Sequence, residues 1–278
     1  MIELLKAVLF GIVEGITEWL PVSSTGHMII LDEFVKLDCT QEFLDMFLVV
    51  IQLGAILAVV ILFWGTIFPF QLRDRSKPVI ETDKIVLWLK IIVACIPAAI
   101  VGLLFDDIFE ELFYHAIPVA IALIVFGVAF IIVERRNKGK AFKIETLDGI
   151  GFKTAFIIGL FQLIAAIFPG TSRSGATIVG ALLIGVSRSA AAEFTFLLAI
   201  PVMFGASLLK LVKFGFGFSA LEAGVLLVGM FVAFAVSLFV IKFLMDYIKK
   251  HDFQVFGWYR IALGIAVLAL GACGVITI

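Results

Sequence analysis

Charge is scarce in this chain: aspartate, glutamate, lysine and arginine make up 15% of its 278 residues, and the formal net charge is −1. A balance so close to neutral argues against a nucleic-acid partner, because binding to a phosphate backbone shows as a basic excess or a basic face. Cysteine is nearly missing too. Cys39, Cys95 and Cys273 form an odd set without metal-type spacing, and two of them sit in apolar runs, which predicts small buried side chains and no disulfide framework. The N-terminus lacks the basic, uninterrupted form of a cleavable signal peptide, since Glu3 precedes Lys6 and Glu14 and Glu18 interrupt the apolar stretch. That segment is expected to stay and to function.

What is abundant is hydrocarbon: 63% of the residues are hydrophobic and 29 are phenylalanine, well above a soluble domain. Apolar runs lie at about 43–65, 85–104, 117–133, 190–212, 221–241 and 254–278, each near the ~20 residues a helix needs to cross a bilayer. The fold class that follows is an all-α polytopic membrane protein with six transmembrane helices. Two further stretches resist that reading. Residues 4–36 carry Glu14, Glu18, Pro21 and the run Ser23-Ser24-Thr25-Gly26-His27, while residues 152–187 carry Pro169-Gly170 and Arg173. Each reads as a helix, a break and a second helix, that is, a re-entrant hairpin.

The two stretches also repeat. At an offset of 148, Gly11, Pro21 and Ser24 fall on Gly159, Pro169 and Ser172, and Glu14 falls on Gln162; at 151, Glu42-Phe43 falls on Glu193-Phe194 and Gly54-Ala55 on Gly205-Ala206. The glycine–alanine pairs would allow close helix approach, with plain packing the simplest account of them. A single membrane domain is expected, built as a first repeat over 1–134, a linker over 135–149 and a second repeat over 150–278. A hairpin plus three spans is an odd number of crossings, so the second repeat is inverted. Lysine and arginine concentrate in the loops 66–84 (with Arg73, Arg75 and Lys77), 134–153 and 242–253, whereas 105–116 is acidic, with Asp106, Asp107, Glu110 and Glu111. By the positive-inside rule the three basic loops, the linker among them, are cytoplasmic and both termini lie outside.

Hairpins entering from opposite faces would meet by their tips near mid-membrane, where non-helical backbone is tolerated only against protein or a wet cavity. Glu14 and Glu18, four apart, share a helix face, and two such carboxylates resist joint ionisation unless a cation or a shared proton intervenes. Ser23, Ser24 and Thr25 offer hydroxyls or helix caps, and His27 exchanges protons near neutral pH. The other tip offers Ser172, Arg173, Ser174 and Thr177 behind a Pro-Gly break. A guanidinium beside a helix N-terminus favours phosphate. Ser187-Arg188-Ser189 repeats the same tripeptide without the break, which predicts Arg188 as a surface anchor and Arg173 as the ligand. Charge neutralisation, a positioned nucleophile and a proton donor are what phosphoryl transfer asks for, and Mg or Ca would suit the two glutamates.

At these residues the sequence resembles the undecaprenyl-diphosphate phosphatase, or bacitracin-resistance, family over nearly the whole chain. "EGITEWLPVSSTGH" (14–27) and "PGTSRSGAT" (169–177) look like its two signature motifs, and "VIQLGAILAVV" (50–60) and "EFTFLLAIPVMFGAS" (193–207) resemble its flanking segments. Trp19 stands where the family carries phenylalanine. The resemblance implies a bacterial cytoplasmic-membrane hydrolase that converts undecaprenyl diphosphate to the monophosphate carrier of cell-wall synthesis, with its site open to the outer side. It implies Glu14, Glu18, Ser24, His27 and Arg173 as catalytic residues. Ser23, Thr25, Ser172, Arg173, Ser174 and Thr177 are then expected around the phosphates, and a divalent cation on Glu14 and Glu18. The nucleophile is left among Ser24, water and His27. The expected partners are the prenyl diphosphate and membrane lipids, with a second copy of the chain also allowed. The rival reading is a lipid-phosphate flippase or secondary transporter, since inverted repeats with broken helices are also a carrier architecture.

Overall fold

Proline, glycine and capping hydroxyls divide the chain into twelve helices among the described residues of the computed structural model: 1–71, 79–215 and 217–275, without the side chains of Asp106, Asp107 and Glu110. They are α1 (Ile2–Thr17), α2 (Ser24–Phe34), α3 (Gln41–Val50), α4 (Gln52–Leu62), α5 (Trp64–Ile67), α6 (Thr82–Phe113), α7 (Ala116–Asn137), α8 (Phe152–Ile167), α9 (Arg173–Leu183), α10 (Arg188–Phe214), α11 (Ala220–Ile248) and α12 (Gln254–Ala272). Six helical segments are long and apolar enough to cross a membrane: 41–62 (α3 with α4), 82–105, 116–137, 188–214, 220–248 and 254–272. They coincide with the six apolar runs of the sequence, and the chain is a multi-pass membrane protein. Among the described residues β-structure is limited to the isolated bridges Phe70–Ile80 and Ile144–Val186.

Helix starts follow the hydroxyls. Thr40 accepts from the Phe43 N–H, Ser187 from Ala190, and Ser219 forms a capping box with Glu222, each supplying an acceptor to the otherwise orphaned first turn. Helix ends depart from the sequence expectation in two places. The acidic segment 105–116 is helical as far as Phe113 because nothing between Gly102 and Pro118 stops it, and α11 likewise carries Lys242 within the helix. Arg73, Arg75 and Lys77 lie outside the described residues.

The helices form crossed pairs: α1 lies along α11, α8 along α6, and α7 along α12. Gly11 and Gly159 make the first two possible. A Cβ on Gly11 would stand 2.6 Å from the Gly229 carbonyl, and one on Gly159 would collide with the Ala94 carbonyl. The glycines at 54 and 205 are not equivalent: Gly54 is pressed against the Met230 backbone, whereas Gly205 faces open space. All three cysteines are free thiols, and burial pushes the Cys39 thiol, in the α2–α3 connection, up to about 11.

Candidate active site

Two breaks, 18–23 and 168–172, carry the polar residues. Pro21 closes off α1, Pro169-Gly170 closes off α8, and a serine then starts the next helix in each case: the Ser23 side chain accepts from Gly26 N–H, and that of Ser172 from Gly175 N–H. Both serines have left-handed backbones (φ 75° and 68°) and are the non-glycine residues with positive φ among those described. A β-carbon in that region costs about 1–3 kcal/mol, which the surrounding contacts must outweigh. Structurally, then, Ser172 corresponds to Ser23 and not to Ser24, a shift of one from the register read in the sequence. Gly170 (φ 88°) has a second constraint, since a Cβ there would sit 2.6 Å from the Val119 carbonyl.

The structure brings the first break's acid to the second break's arginine. Arg173 Nη2 lies 2.9 Å from Glu18 Oε1, with the two side chains 13% and 9% exposed. Arg173 Nη1 donates to the Thr195 carbonyl at 2.9 Å, while its Nε is buried without a partner. The other oxygen of Glu18 accepts from Ser24 Oγ at 2.9 Å. The backbone joins in: with the helix ended, the Glu18 carbonyl is free to accept from Ser174 Oγ at 3.1 Å. Glu14, one turn before Glu18 and buried, keeps Oε1 without a hydrogen-bond partner.

His27 is held at both nitrogens, Nδ1 at 2.7 Å from the Ser23 carbonyl and Nε2 at 2.8 Å from the Tyr259 hydroxyl. Thr25 is half-buried in the first turn of α2. Ser174 and Thr177 are buried and already engaged: Ser174 Oγ with the Glu18 carbonyl, and Thr177 Oγ1 with the carbonyls of Arg173 and Ser174 and the Thr195 hydroxyl. Ser172 Oγ lies 3.1 Å from Ser174 Oγ. These hydroxyls brace the second break, and the buried polar atoms left without a partner in and beside the breaks include Arg173 Nε, Glu14 Oε1, Thr171 Oγ1, Trp19 Nε1, the Gln162 amide and Arg260 Nε.

Sequence reading passed over Arg260. It is fully buried, and its guanidinium donates to the carbonyls of Pro21 (3.3 Å), Gly170 (2.9 Å) and Thr171 (2.6 Å), tying both breaks to α12. These are the carbonyls that broken helices leave unpaired, and a buried backbone acceptor needs a donor. Arg188, expected as a surface anchor, instead grips Glu134: Nε at 2.9 and 3.1 Å, Nη2 at 2.5 Å, with the Glu134 side chain fully buried.

Glu14 in α1 and Glu18 at its C-cap are oxygen donors of the kind a divalent cation takes. Glu14 Oε1 is a buried carboxylate oxygen without a partner, adjacent in register to Glu18, so the pair fits such an ion. No group of three or more histidine, cysteine, aspartate or glutamate side chains placed to hold a metal ion occurs among the described residues. The remaining ligands would have to be water or phosphate oxygens.

Several relatives of similar sequence carry the name of an enzyme. The chain is 63% identical over 268 residues to the undecaprenyl-diphosphatase of Desulfitobacterium hafniense, covering 96% of each chain. It is 60% identical over 271 residues to the protein of that name from Enterococcus faecalis, covering 98% of each. With the Streptococcus thermophilus undecaprenyl-diphosphatase it shares 56% over 275 residues, 98% of this chain and 94% of the other. Residues 7–266 match the family described as "Bacitracin resistance protein BacA", and the chain belongs to that family.

Proposed function

We propose that this protein is an undecaprenyl-diphosphate phosphatase, releasing the terminal phosphate of the lipid diphosphate and leaving undecaprenyl phosphate for reuse in peptidoglycan synthesis. The observation that carries the reading is the Glu18–Arg173 pair, which joins the two breaks while leaving Arg173 Nε unpartnered and Ser24 Oγ on the same carboxylate. Family membership and the names of near-full-length relatives point the same way.

In this reading the diphosphate binds to Arg173 Nε and the first-turn N–H groups of α9, where guanidinium and helix terminus both favour anionic oxygens. A water that Ser24 orients attacks the terminal phosphorus, or Ser24 attacks it and a water then hydrolyses the Ser24 phosphoester; either route releases orthophosphate. Glu18 Oε2, at 2.9 Å, is the nearest acceptor for the proton released from the Ser24 hydroxyl. The anhydride P–O bond breaks, and the departing monophosphate oxygen takes up a proton from the site, with His27 as the donor. A magnesium or calcium ion on Glu14 and Glu18 would supply charge neutralisation of the phosphate oxygens.

The helix pairs α1–α2 and α8–α9 are then re-entrant hairpins of an inverted repeat. The matching serine caps and the reciprocal packing of α1 on α11 and α8 on α6 support this. With the basic loops cytoplasmic, α1 and α2 enter from the outer face, both termini lie outside, and the site opens outward. The test is orthophosphate release from undecaprenyl diphosphate by the purified protein in detergent with magnesium or calcium. Absence of release by the folded wild type overturns the proposal.

A further inference from the structure

Tyr259 has no role in the chemistry described so far, yet its hydroxyl lies 2.8 Å from His27 Nε2 and its ring stacks on the imidazole at 5.6 Å between centroids and 7° between planes. The opposite nitrogen decides the proton arrangement. A backbone carbonyl only accepts, so Nδ1, 2.7 Å from the Ser23 carbonyl, must carry a proton. In the neutral ring Nε2 is therefore the lone pair, and Tyr259 O–H donates to it. Tyr259 is 48% exposed, so its oxygen stands between a half-buried imidazole and the exterior. The neighbouring residue fixes that placement, because Arg260 is anchored to three carbonyls of the two breaks and holds this turn of α12 against α2.

Resting on the phosphatase reading, we propose that Tyr259 is the positioning partner of His27: it caps the Nε2 lone pair of the Nδ1–H tautomer that the Ser23 carbonyl sets, and it passes the proton that Nε2 exchanges. His27 is thereby a proton carrier and not the atom that receives phosphate. With Nδ1 protonated and Nε2 capped by a hydroxyl, the ring offers no lone pair to phosphorus unless the Tyr259 contact breaks. In the relay, the neutral ring first takes up one proton from water at Nε2 by way of the exposed Tyr259 hydroxyl; the imidazolium Nε2–H then gives that proton to the Tyr259 oxygen as the hydroxyl gives its own to the departing phosphate oxygen. Tyr259 ends as it began, and His27 ends neutral.

The test uses full-length protein in detergent. The first arm is 15N NMR of protein labelled at its three histidines, with His27 assigned by its loss in H27Q. Wild type is expected to show the Nδ1–H tautomer, with the Nε2 resonance moved in Y259F; the Nε2–H tautomer, or an Nε2 signal indifferent to Y259F, overturns the proposal. In the second arm Y259F is expected to lower kcat by roughly 10–100-fold, the scale for losing a histidine's orienting partner, with KM within about twofold. A kcat within about twofold of wild type overturns it, as does alkali-stable phosphate recovered on His27 after quenching. Should wild type release no phosphate, the phosphatase reading fails, and the tautomer arm alone then judges the His27–Tyr259 pair.

Discussion

The tripeptide Ser-Arg-Ser occurs twice, at 172–174 and 187–189, and the two copies part company in what their arginines leave unsatisfied. Both first serines cap helices, and both arginines meet a buried glutamate. At the second copy the glutamate is fully engaged: Arg188 Nε and Nη2 grip both oxygens of Glu134, which also accepts from the Phe253 N–H at 3.0 Å. At the first, Arg173 Nε is left over, Glu18 is shared with Ser24, and Ser172 is held at φ 68° where Ser187 relaxes at −64°. A saturated ion pair in a membrane protein fastens helices; an unsaturated one on a strained turn is poised for a ligand. The difference is backbone chemistry, since Pro169-Gly170 precedes one copy and Gly185-Val186 the other.

The comparison can be broken most directly at its two arginines. Arg173→Ala is expected to lower kcat/KM by roughly 10³-fold, the scale for removing a donor aimed at developing charge, in phosphate-release assays on protein that still elutes as a folded monodisperse species. Arg188→Ala should reverse the pattern. It strands the Glu134 carboxylate in the interior, so thermal unfolding in detergent should register a loss of about 3–5 kcal/mol, while turnover per folded molecule stays near wild type. Equal damage to activity from both changes would erase the distinction.

Smaller effects sharpen it. Ser24→Ala removes the donor to Glu18 Oε2 and should cost roughly 10²-fold in kcat, with residual activity still abolished by chelation and restored by magnesium or calcium. At the caps, Ser187→Gly should lower stability by only a few tenths of a kcal/mol. Ser172→Gly removes a strained β-carbon and should raise stability by up to about 1 kcal/mol while lowering turnover. Identical shifts in unfolding midpoint for the two glycine variants would show that the left-handed turn stores nothing.

Much of this arrangement is written in local chemistry. The spans are legible because a bilayer demands long apolar helices, and the breaks because Pro21 and Pro169-Gly170 interrupt such runs. The meeting of Glu18 with Arg173 follows from treating intramembrane charges as partners. Arg260 was legible by the same rule, being an arginine inside the run 254–278, but a span counted only for hydropathy hides it. Glu134 was obscured by the basic cluster that follows it, which drew it into a loop. The one-residue shift between Ser23 and Ser172 lies in φ, and identity matching aligned Ser24 instead because the first break has two adjacent serines. Tyr259 was out of reach of any pattern, since its role depends on a contact 232 residues away in sequence.

Arg260 also bears on the rival reading as a carrier. A machine that alternately faces two compartments must let its halves part and rejoin in every cycle, yet one desolvated cation here is stitched to the loose ends of both. Parting them would sever up to three charge-assisted hydrogen bonds, each worth about 1.5–3 kcal/mol, and strand that cation in hydrocarbon. Three carbonyls on one guanidinium favour a cleft that keeps its shape while its ligand moves.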